Sequence, residues 1–95
     1  MRKNMRIANV TLAEHGQLVT NRGKRKQYRL IRFTDLGDEQ VEYTLCVMNG
    51  HKGASRFEKL QVGTKLARVV VYTEGGRNYV DGNSNFSVMR AQPLF

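Results

Sequence analysis

The sequence predicts an all-β fold, built as a small barrel or sandwich. Short runs in which apolar and polar side chains alternate recur along the chain, and glycine-containing segments separate these runs. Helical periodicity, with apolar residues three and four positions apart, is hard to find by comparison. The length of 95 residues suits one domain with a modest core and is too short for two. We therefore expect residues 1–95 to form a single β domain.

The segment 41–48, VEYTLCVM, indicates a strand most clearly. Alternate residues of a strand point to opposite sides, so one side of this strand can face a core while the other faces solvent. The side predicted to face the core carries Val41, Tyr43, Leu45 and Val47. The opposite side carries Glu42, Thr44, Cys46 and Met48.

Cys46 is the only cysteine of the chain and cannot form an internal disulfide bond. A single cysteine in an apolar stretch suits a reducing compartment such as the cytoplasm. We expect Cys46 to be a packed, unreactive thiol of the core.

Two further strands are predicted before this segment. The first covers residues 5–12 and can extend through Leu18 and Val19 to a turn that is rich in cations. The second covers residues 27–33 and carries arginine and apolar residues on both sides. Such a mixture fits a strand with one side in the core and the other on a binding surface, and it fits a poorly buried edge strand nearly as well.

The chain after residue 48 contains one helical candidate, 54–60, and then returns to strands. Residues 66–73, LARVVVYT, are rich in β-branched side chains, which strands favour. The pair of glycines in EGGRN, residues 74–78, predicts a tight hairpin turn, and the segment after it supplies one or two final strands. Phe86 in this last segment is expected to pack in the core.

The predicted order is three strands, a short helical turn, one strand, a hairpin and a final strand. This order matches the OB-fold, a five-stranded Greek-key barrel whose second and third strands and adjoining loops bind oligonucleotides. We therefore predict an OB-like barrel with extended hairpins and one short helical turn. A small SH3-like barrel or a split sheet would show much the same alternation and stays open as an alternative.

The chain is strongly basic. Sixteen lysine and arginine residues against eight acidic residues give a net charge of +8 and a pI near 10.2. A field of this strength raises the local concentration of nucleic acid around a small protein. No stretch approaches the roughly 18 apolar residues of a membrane span, and the start of the chain lacks the apolar region of an export signal. We expect a cytoplasmic protein with a polyanionic partner and no membrane association.

The cations concentrate in the stretch RGKRKQYRLIR, residues 22–32. Sequence-tolerant binding of single strands requires cations along the phosphates and flat side chains on which bases stack. The predicted phosphate contacts are Arg22, Lys24, Arg25, Lys26, Arg29 and Arg32, and the predicted stacking residues beside them are Tyr28 and Phe33. The alternatives are a solvated charged loop for the cations and a place in the core for either ring.

A second group of candidates surrounds the EGGRN hairpin, where the loop between the fourth and fifth strands of an OB-fold would project. Arg77 at its tip can reach a bound strand, and Tyr79 is a candidate for base stacking. Lys52, Arg56 and Lys59 form a third basic group, whose side of the barrel the sequence leaves open.

Signals for catalysis and metal binding are weak. GHKG, residues 50–53, has the GxxG spacing of KH domains, but the loop of that kind joins two helices, whereas this one follows a predicted strand. His15 and His51 do not form a metal-ligand pattern with the single cysteine. The acids of DLGDEQ, residues 35–40, suit a solvated hairpin better than acid catalysis. We expect no enzyme activity, no cofactor and no metal.

The segment TNRGKRKQYRLIRFTDLGDE resembles the small single-stranded DNA-binding proteins of filamentous phages, the helix-destabilising family. In that family a basic, glycine-containing wing leads through a Lys-x-Tyr-x-Leu element to an aromatic residue and then to Asp-Leu-Gly. The matching residues here are Lys26, Tyr28, Leu30, Phe33, Asp35, Leu36 and Gly37. The resemblance implies an OB-like homodimer that coats single-stranded DNA. It further implies binding roles for Arg22, Arg25, Lys26, Tyr28 and Phe33.

The later segment EKLQVGTKL is similar to the corresponding region of bacterial single-stranded DNA-binding proteins and of related primosomal OB modules. Those bacterial proteins usually end in a long acidic tail that recruits partners, whereas this chain ends AQPLF. We expect Leu94 and Phe95 to make packing or dimer contacts.

These features together predict a non-enzymatic, sequence-tolerant single-stranded DNA-binding protein that acts in phage or plasmid replication as a homodimer or higher oligomer. An RNA-binding OB module acting in translation is the alternative, because the same cations and rings serve either backbone. A basic β domain that docks an acidic protein is a third class.

Overall fold

The computed structural model of the chain describes residues 4–21, 23, 26–48 and 51–90. Within these residues the chain forms seven strands and one short helix: β1 (Arg6–His15), β2 (Val19–Asn21), β3 (Lys26–Asp35), β4 (Glu42–Met48), α1 (Lys52–Glu58), β5 (Lys65–Glu74), β6 (Arg77–Val80) and β7 (Ser87–Met89). The predicted all-β fold with one short helical turn is confirmed. The candidates outside the described residues are Arg22, Lys24, Arg25, Leu94 and Phe95.

Five of the strands close into a barrel. They pair in the order β1, β3, β4, β6 and β5, and β5 pairs back with β1. All of these pairs are antiparallel except β4 with β6, which run parallel and meet at Thr44 and Tyr79. β2 adds to β3 as a hairpin arm, and β7 adds to β5. This topology is that of the predicted OB-like barrel.

β1 closes the barrel because it takes part in two ladders. Its residues 6–11 pair with β5, and its residues 10–15 pair with β3. The register with β5 shifts at Asn9. Opposite this shift Arg68 has a φ of 64°, and its N–H donates to Asn9 Oδ1 at 3.3 Å. Since bulges of this kind bend a strand, β1 can pair with β5 along its first half and with β3 along its second half.

The core consists of the inward-facing side chains of the barrel strands and two residues of α1. These buried residues are Val10, Leu12, Ile31, Phe33, Tyr43, Leu45, Val47, Ala54, Phe57, Leu66, Val69, Val71 and Val80. Phe57 of α1 meets Phe33 edge-on, with 5.7 Å between ring centroids, and packs on Phe86 at 4.5 Å. The prediction that Tyr43 and Phe86 pack in the core is therefore confirmed, Phe86 being half-buried.

The first predicted strand differs from the observed one. Leu18 and Val19 do not extend β1, because β1 ends at His15 and Val19 begins the separate strand β2. Between them Gly16 donates its N–H to the Leu30 carbonyl at 2.8 Å. A Cβ at position 16 would lie 2.5 Å from that carbonyl oxygen, so only glycine fits this crossing.

α1 begins two residues before the predicted segment 54–60. His51 caps it, because its Nδ1 accepts a hydrogen bond from the Ala54 N–H at 2.9 Å. Gly53 lets the start of the helix pack on the loop after β6, since a Cβ there would lie 2.6 Å from Asn83 Oδ1. His51 and Gly53 of the GHKG segment therefore have structural roles in capping and packing a helix.

The hairpin between β5 and β6 turns at Gly75 and Gly76, whose φ values are 58° and 79°. Two consecutive residues with positive φ are typical of the tight two-residue turn predicted for EGGRN. After β6 the buried Ser84 hydroxyl donates to the Asp81 carbonyl at 2.6 Å, and the last strand, β7, follows.

No helix in the described part of the chain has the length and apolar character needed to cross a lipid bilayer.

Candidate nucleic-acid interface

The outward-facing side chains of four neighbouring strands form one surface, which we call the outer face. Its members alternate with the core residues along β3, β4, β6 and β5. They are Tyr28, Leu30, Arg32, Thr44, Cys46, Met48, Tyr72 and Tyr79. This is the face that the second and third strands of an OB-fold offer to an oligonucleotide.

Strand register arranges the outer face in three rows. In the row nearest the hairpin arm, Tyr28 lies beside Met48. Leu30 lies beside Cys46 in the next row. The third row runs across all four strands through Arg32, Thr44, Tyr79 and Tyr72. Because residues paired across strands project to the same side, each row forms a continuous band of side chains.

Two aromatic rings end the third row. Tyr72 and Tyr79 are half-buried, and their rings stack with centroids 5.4 Å apart and planes inclined by 26°. A cleft of about 370 Å³ lies beside them, and Cys46, Met48 and Asn83 also line it, as do the acidic residues Glu74 and Asp81. A cleft with flat aromatic walls and a few polar groups suits an unpaired base.

The apolar part of the outer face is exposed. Leu30 keeps 46% of its surface accessible and Met48 keeps 40%. Side chains of this kind next to tyrosines offer contact to the faces of bases, which are sequence-tolerant partners. The face thus combines rings and aliphatic groups at its centre.

Cations stand at the margins of this surface. Lys26 lies at the hairpin-arm end of β3, and Arg77 lies at the start of β6. Both are exposed. Lys26 and Arg77 therefore lie at the ends of their strands, at the margins of the aromatic and apolar centre.

Arg32 lies within the outer face but is already paired. Its Nε lies 3.4 Å from Glu14 Oε2, and one terminal nitrogen lies 3.1 Å from Glu42 Oε1. Two carboxylates therefore balance its charge, and a phosphate approaching Arg32 must compete with them.

Arg29 does not belong to the outer face. As the neighbour of Tyr28 in β3 it projects to the other side, opposite Val47, and its guanidinium lies 3.0 Å from Glu58 of α1. The predicted phosphate contact is corrected to a structural one, because this ion pair joins β3 to the helix.

Phe33 is also corrected. It is fully buried, with 0% of its surface exposed, and packs on Phe57. Its odd-numbered position in β3 aligns it with the inward-facing Ile31, so its ring cannot reach a base. The alternative interpretation, a place in the core, is the one observed.

Cys46 is exposed on the outer face, so the expectation of a core thiol was wrong. Alternation along β4 decides the matter, because its neighbours Leu45 and Val47 take the inward positions. The pKa of Cys46 is raised by desolvation, since neighbouring side chains displace part of its hydration. A raised pKa keeps the group as a neutral thiol at neutral pH.

The third basic group divides between two roles. Arg56 donates to the Ser84 carbonyl, and its guanidinium lies 5.1 Å from the centroid of the Phe86 ring. It therefore supports the helix and the chain after β6. Lys52 and Lys59 are exposed, and Lys52 lines a second cleft beside α1.

The carboxylates of the predicted acidic hairpin stabilise the turn. Asp35 accepts from the Gly37 N–H at 3.0 Å and from the Tyr43 hydroxyl at 2.9 Å. Burial raises the pKa of Tyr43, and the hydrogen bond that its hydroxyl donates to the Asp35 carboxylate adds to the rise. No group of three His, Cys, Asp or Glu side chains among the residues described here is arranged to hold a metal ion.

Sequence reasoning assigned no binding role to four members of the outer face: Leu30, Cys46, Met48 and Tyr72. For three of them, the alternation of side chains along a strand predicts an outward position. Cys46 and Met48 lie opposite the core side of 41–48, and Leu30 lies between inward-facing neighbours. For Tyr72 the deciding fact is its pairing with Tyr79, which depends on the β5–β6 register.

Comparison of the chain with protein-family models, with curated proteins and with solved structures found no match in any of the three. The resemblance to the phage DNA-binding proteins therefore stays a prediction, and the function has to be inferred from the geometry of the outer face.

Proposed function

We propose that this protein is a non-enzymatic, sequence-tolerant single-stranded DNA-binding protein that coats DNA during phage or plasmid replication. The observation that carries the proposal is the outer face, where Tyr28, Tyr72 and Tyr79 share one side of the barrel. A surface of rings and aliphatic groups bordered by cations matches what an unpaired strand presents, namely bases on one side and phosphates on the other.

Charge supports the same proposal. The chain carries a net charge of +8, and six of its sixteen cations lie in residues 22–32. Of those that the structure describes, Lys26 and Arg32 lie on the outer-face side of β3, and Arg29 lies on the other side. Phosphate contacts supply affinity without reading sequence. Rings that stack on any base add affinity that is equally tolerant. Binding of this kind is expected to cover many sequences with similar strength.

Duplex DNA fits the outer face poorly. Its bases are stacked inside the helix, so the tyrosines would find no exposed base face, and only the cations would contribute. Preference for single strands over duplex therefore separates this proposal from a purely electrostatic attraction.

The test is a fluorescence-anisotropy titration of labelled dT oligonucleotide, matched duplex and rU oligonucleotide, each at two salt concentrations. We expect the dT oligonucleotide to bind more tightly than duplex at both salt concentrations, with the preference retained at the higher one. Equal binding to duplex and dT, lost at the higher salt, would refute the proposal. Tighter binding of rU than dT would favour an RNA-binding OB module, because only the 2′-hydroxyl separates the two backbones at such a site.

The proposal includes a homodimer or higher homo-oligomer, which the resemblance to the phage family implies. Light scattering coupled to size-exclusion chromatography measures this directly. A mass equal to one chain of 10.9 kDa over the whole concentration range would remove that part of the proposal and leave the binding activity to be judged by titration.

A further inference from the structure

A second cleft lies beside the one at Tyr72 and Tyr79. It has a volume of about 280 Å³ and opens between the hairpin arm and α1. We call it the α1 cleft. Its lining residues include Leu18, Gln27, Met48, His51 and Lys52.

The two clefts are adjacent. Met48 and His51 line both of them, so a ligand that fills the first can continue past these two side chains into the second. The path starts at the tyrosine pair and ends at Leu18 and Gln27, beside the hairpin arm. In the sequence, residues 22–26 carry four cations. A strand that follows this path stays on one side of the barrel.

His51 has a defined hydrogen-bonding state at this junction. Because its Nδ1 accepts the Ala54 N–H, the neutral ring must carry its proton on Nε2. The ring is exposed, so this second nitrogen is a donor for groups that enter either cleft. A phosphate oxygen is the acceptor that such a donor and the adjacent Lys52 would both favour.

The only acid lining the α1 cleft, among the residues described, is Glu58, and its carboxylate is paired with Arg29 at 3.0 Å. Its negative charge is therefore balanced before a ligand arrives. Leu18 and Met48 supply an apolar wall, being exposed by 53% and 40%. The α1 cleft thus offers one apolar side and one side of hydrogen-bond donors, as a nucleotide requires.

We infer that the α1 cleft holds one nucleotide of the bound strand, with its base against Leu18 and Met48 and its phosphate on His51 Nε2–H and Lys52. This inference rests on the proposed function and extends the site beyond the outer face. It gives His51 a ligand contact that is separate from its role in capping α1. The bound strand then runs from the tyrosine pair, past α1, to the hairpin arm.

Two variants test the contact. His51→Asn keeps a side-chain oxygen able to cap the helix but removes the Nε2 donor. Lys52→Gln removes the neighbouring charge, and Lys59→Gln is its matched control, because it removes an equal charge at the other end of the helix. Each protein is titrated with dT oligonucleotide over a range of salt concentrations, and its thermal unfolding is recorded.

We expect His51→Asn to weaken dT binding by about ten- to a hundredfold, the scale of one hydrogen bond to a charged group. Lys52→Gln is expected to lower the salt slope by about 0.7, the value for one neutralised phosphate on a single strand. Lys59→Gln should leave the slope unchanged. Unfolding temperatures of all three should stay within about 3 °C of the original, since each change is at the surface.

The outcomes separate the two proposals. If the original chain does not prefer dT over duplex, the proposed function fails. If it does, and His51→Asn and Lys52→Gln bind like Lys59→Gln, the α1 cleft is not part of the path and the inference fails. Should His51→Asn unfold early, the long-range ¹H–¹⁵N spectrum of the original imidazole decides: a dT-induced shift of the Nε2 resonance supports the contact, and an unchanged resonance overturns it.

Discussion

Tyr79 and Phe33 are both aromatic strand residues, yet their side chains face opposite sides of the barrel wall. Tyr79 lies on the outer face against Tyr72, whereas Phe33 is fully buried against Phe57. A ring on the outer face can be removed with little loss of packing. A ring in the core leaves a cavity when it is truncated.

For Tyr79→Ala we expect dT affinity to fall by about 1–3 kcal/mol, the value of one base stacked on an aromatic side chain. Tyr79→Phe should bind nearly as well as the original, because it keeps the flat ring. Anisotropy titration measures both, and urea unfolding serves as the check on the fold. Phe33→Ala, by contrast, is expected to lower the free energy of unfolding by about 3–5 kcal/mol. Unchanged affinity in Tyr79→Ala would exclude the tyrosine pair as a stacking platform.

Glu42 competes with phosphate for Arg32 at the β3 edge of the outer face. We expect Glu42→Gln to raise dT affinity about two- to threefold at low salt, since an exposed ion pair is worth little and its loss frees the guanidinium for a phosphate. Raising the ionic strength should shrink the gain. Glu39→Gln is the matched control, because it changes the net charge equally in the turn before β4. An equal gain in both variants would mean that only the net charge matters.

At the scale of elements, the ion pair between Arg29 and Glu58 joins β3 to α1. Both side chains keep 31% exposure, so solvent screening limits the pair to about 0.5–1 kcal/mol of coupling. We expect a double-mutant cycle with Arg29→Met and Glu58→Gln, followed by urea unfolding, to measure this coupling. Arg29→Met should leave the salt slope of dT binding unchanged, whereas Lys26→Met should lower it. A lowered slope in Arg29→Met would return Arg29 to the binding surface.

The elements themselves were largely predictable from alternation. The segment 41–48 shows one apolar side and one mixed side, and β4 has this arrangement because the barrel has one core. The turn at Gly75 and Gly76 was equally clear, since two glycines tolerate positive φ. Cys46 was misjudged because the average burial of cysteine was weighed above its position in the strand.

Other features depend on partners that lie far away in the sequence. The break between β1 and β2 arises where Gly16 meets Leu30, fourteen positions along the chain. The inward place of Arg29 depends on Glu58, which lies on a helix twenty-nine positions away. The two clefts share Met48 and His51 because α1 packs beside β4. Long-range partners of this kind decide which cations face a ligand.

At the scale of the whole molecule, the positive electrostatic field of the protein is expected to set its affinity for single-stranded DNA. We expect Arg25→Ala combined with Lys26→Ala to weaken every single-stranded sequence about equally, and to lower the salt slope by about 0.7 for each phosphate that is no longer neutralised. Titration of dT, dC and mixed oligonucleotides over a salt series measures this. A weakening confined to certain sequences would show that these cations act through bases and not through phosphates.

Closure of the barrel through β1 and β5 also bears on how the protein is made. β1, β3 and β4 are synthesised first and can pair as they emerge, but Arg6 must wait for Val71 before the first half of β1 finds its partner. A growing chain therefore passes through a half-open sheet with unpaired backbone on β1 and β4. Such edges pair readily with other nascent chains. Pairing of β5 with β1 and β6 is thus expected to end the period in which self-association competes with folding.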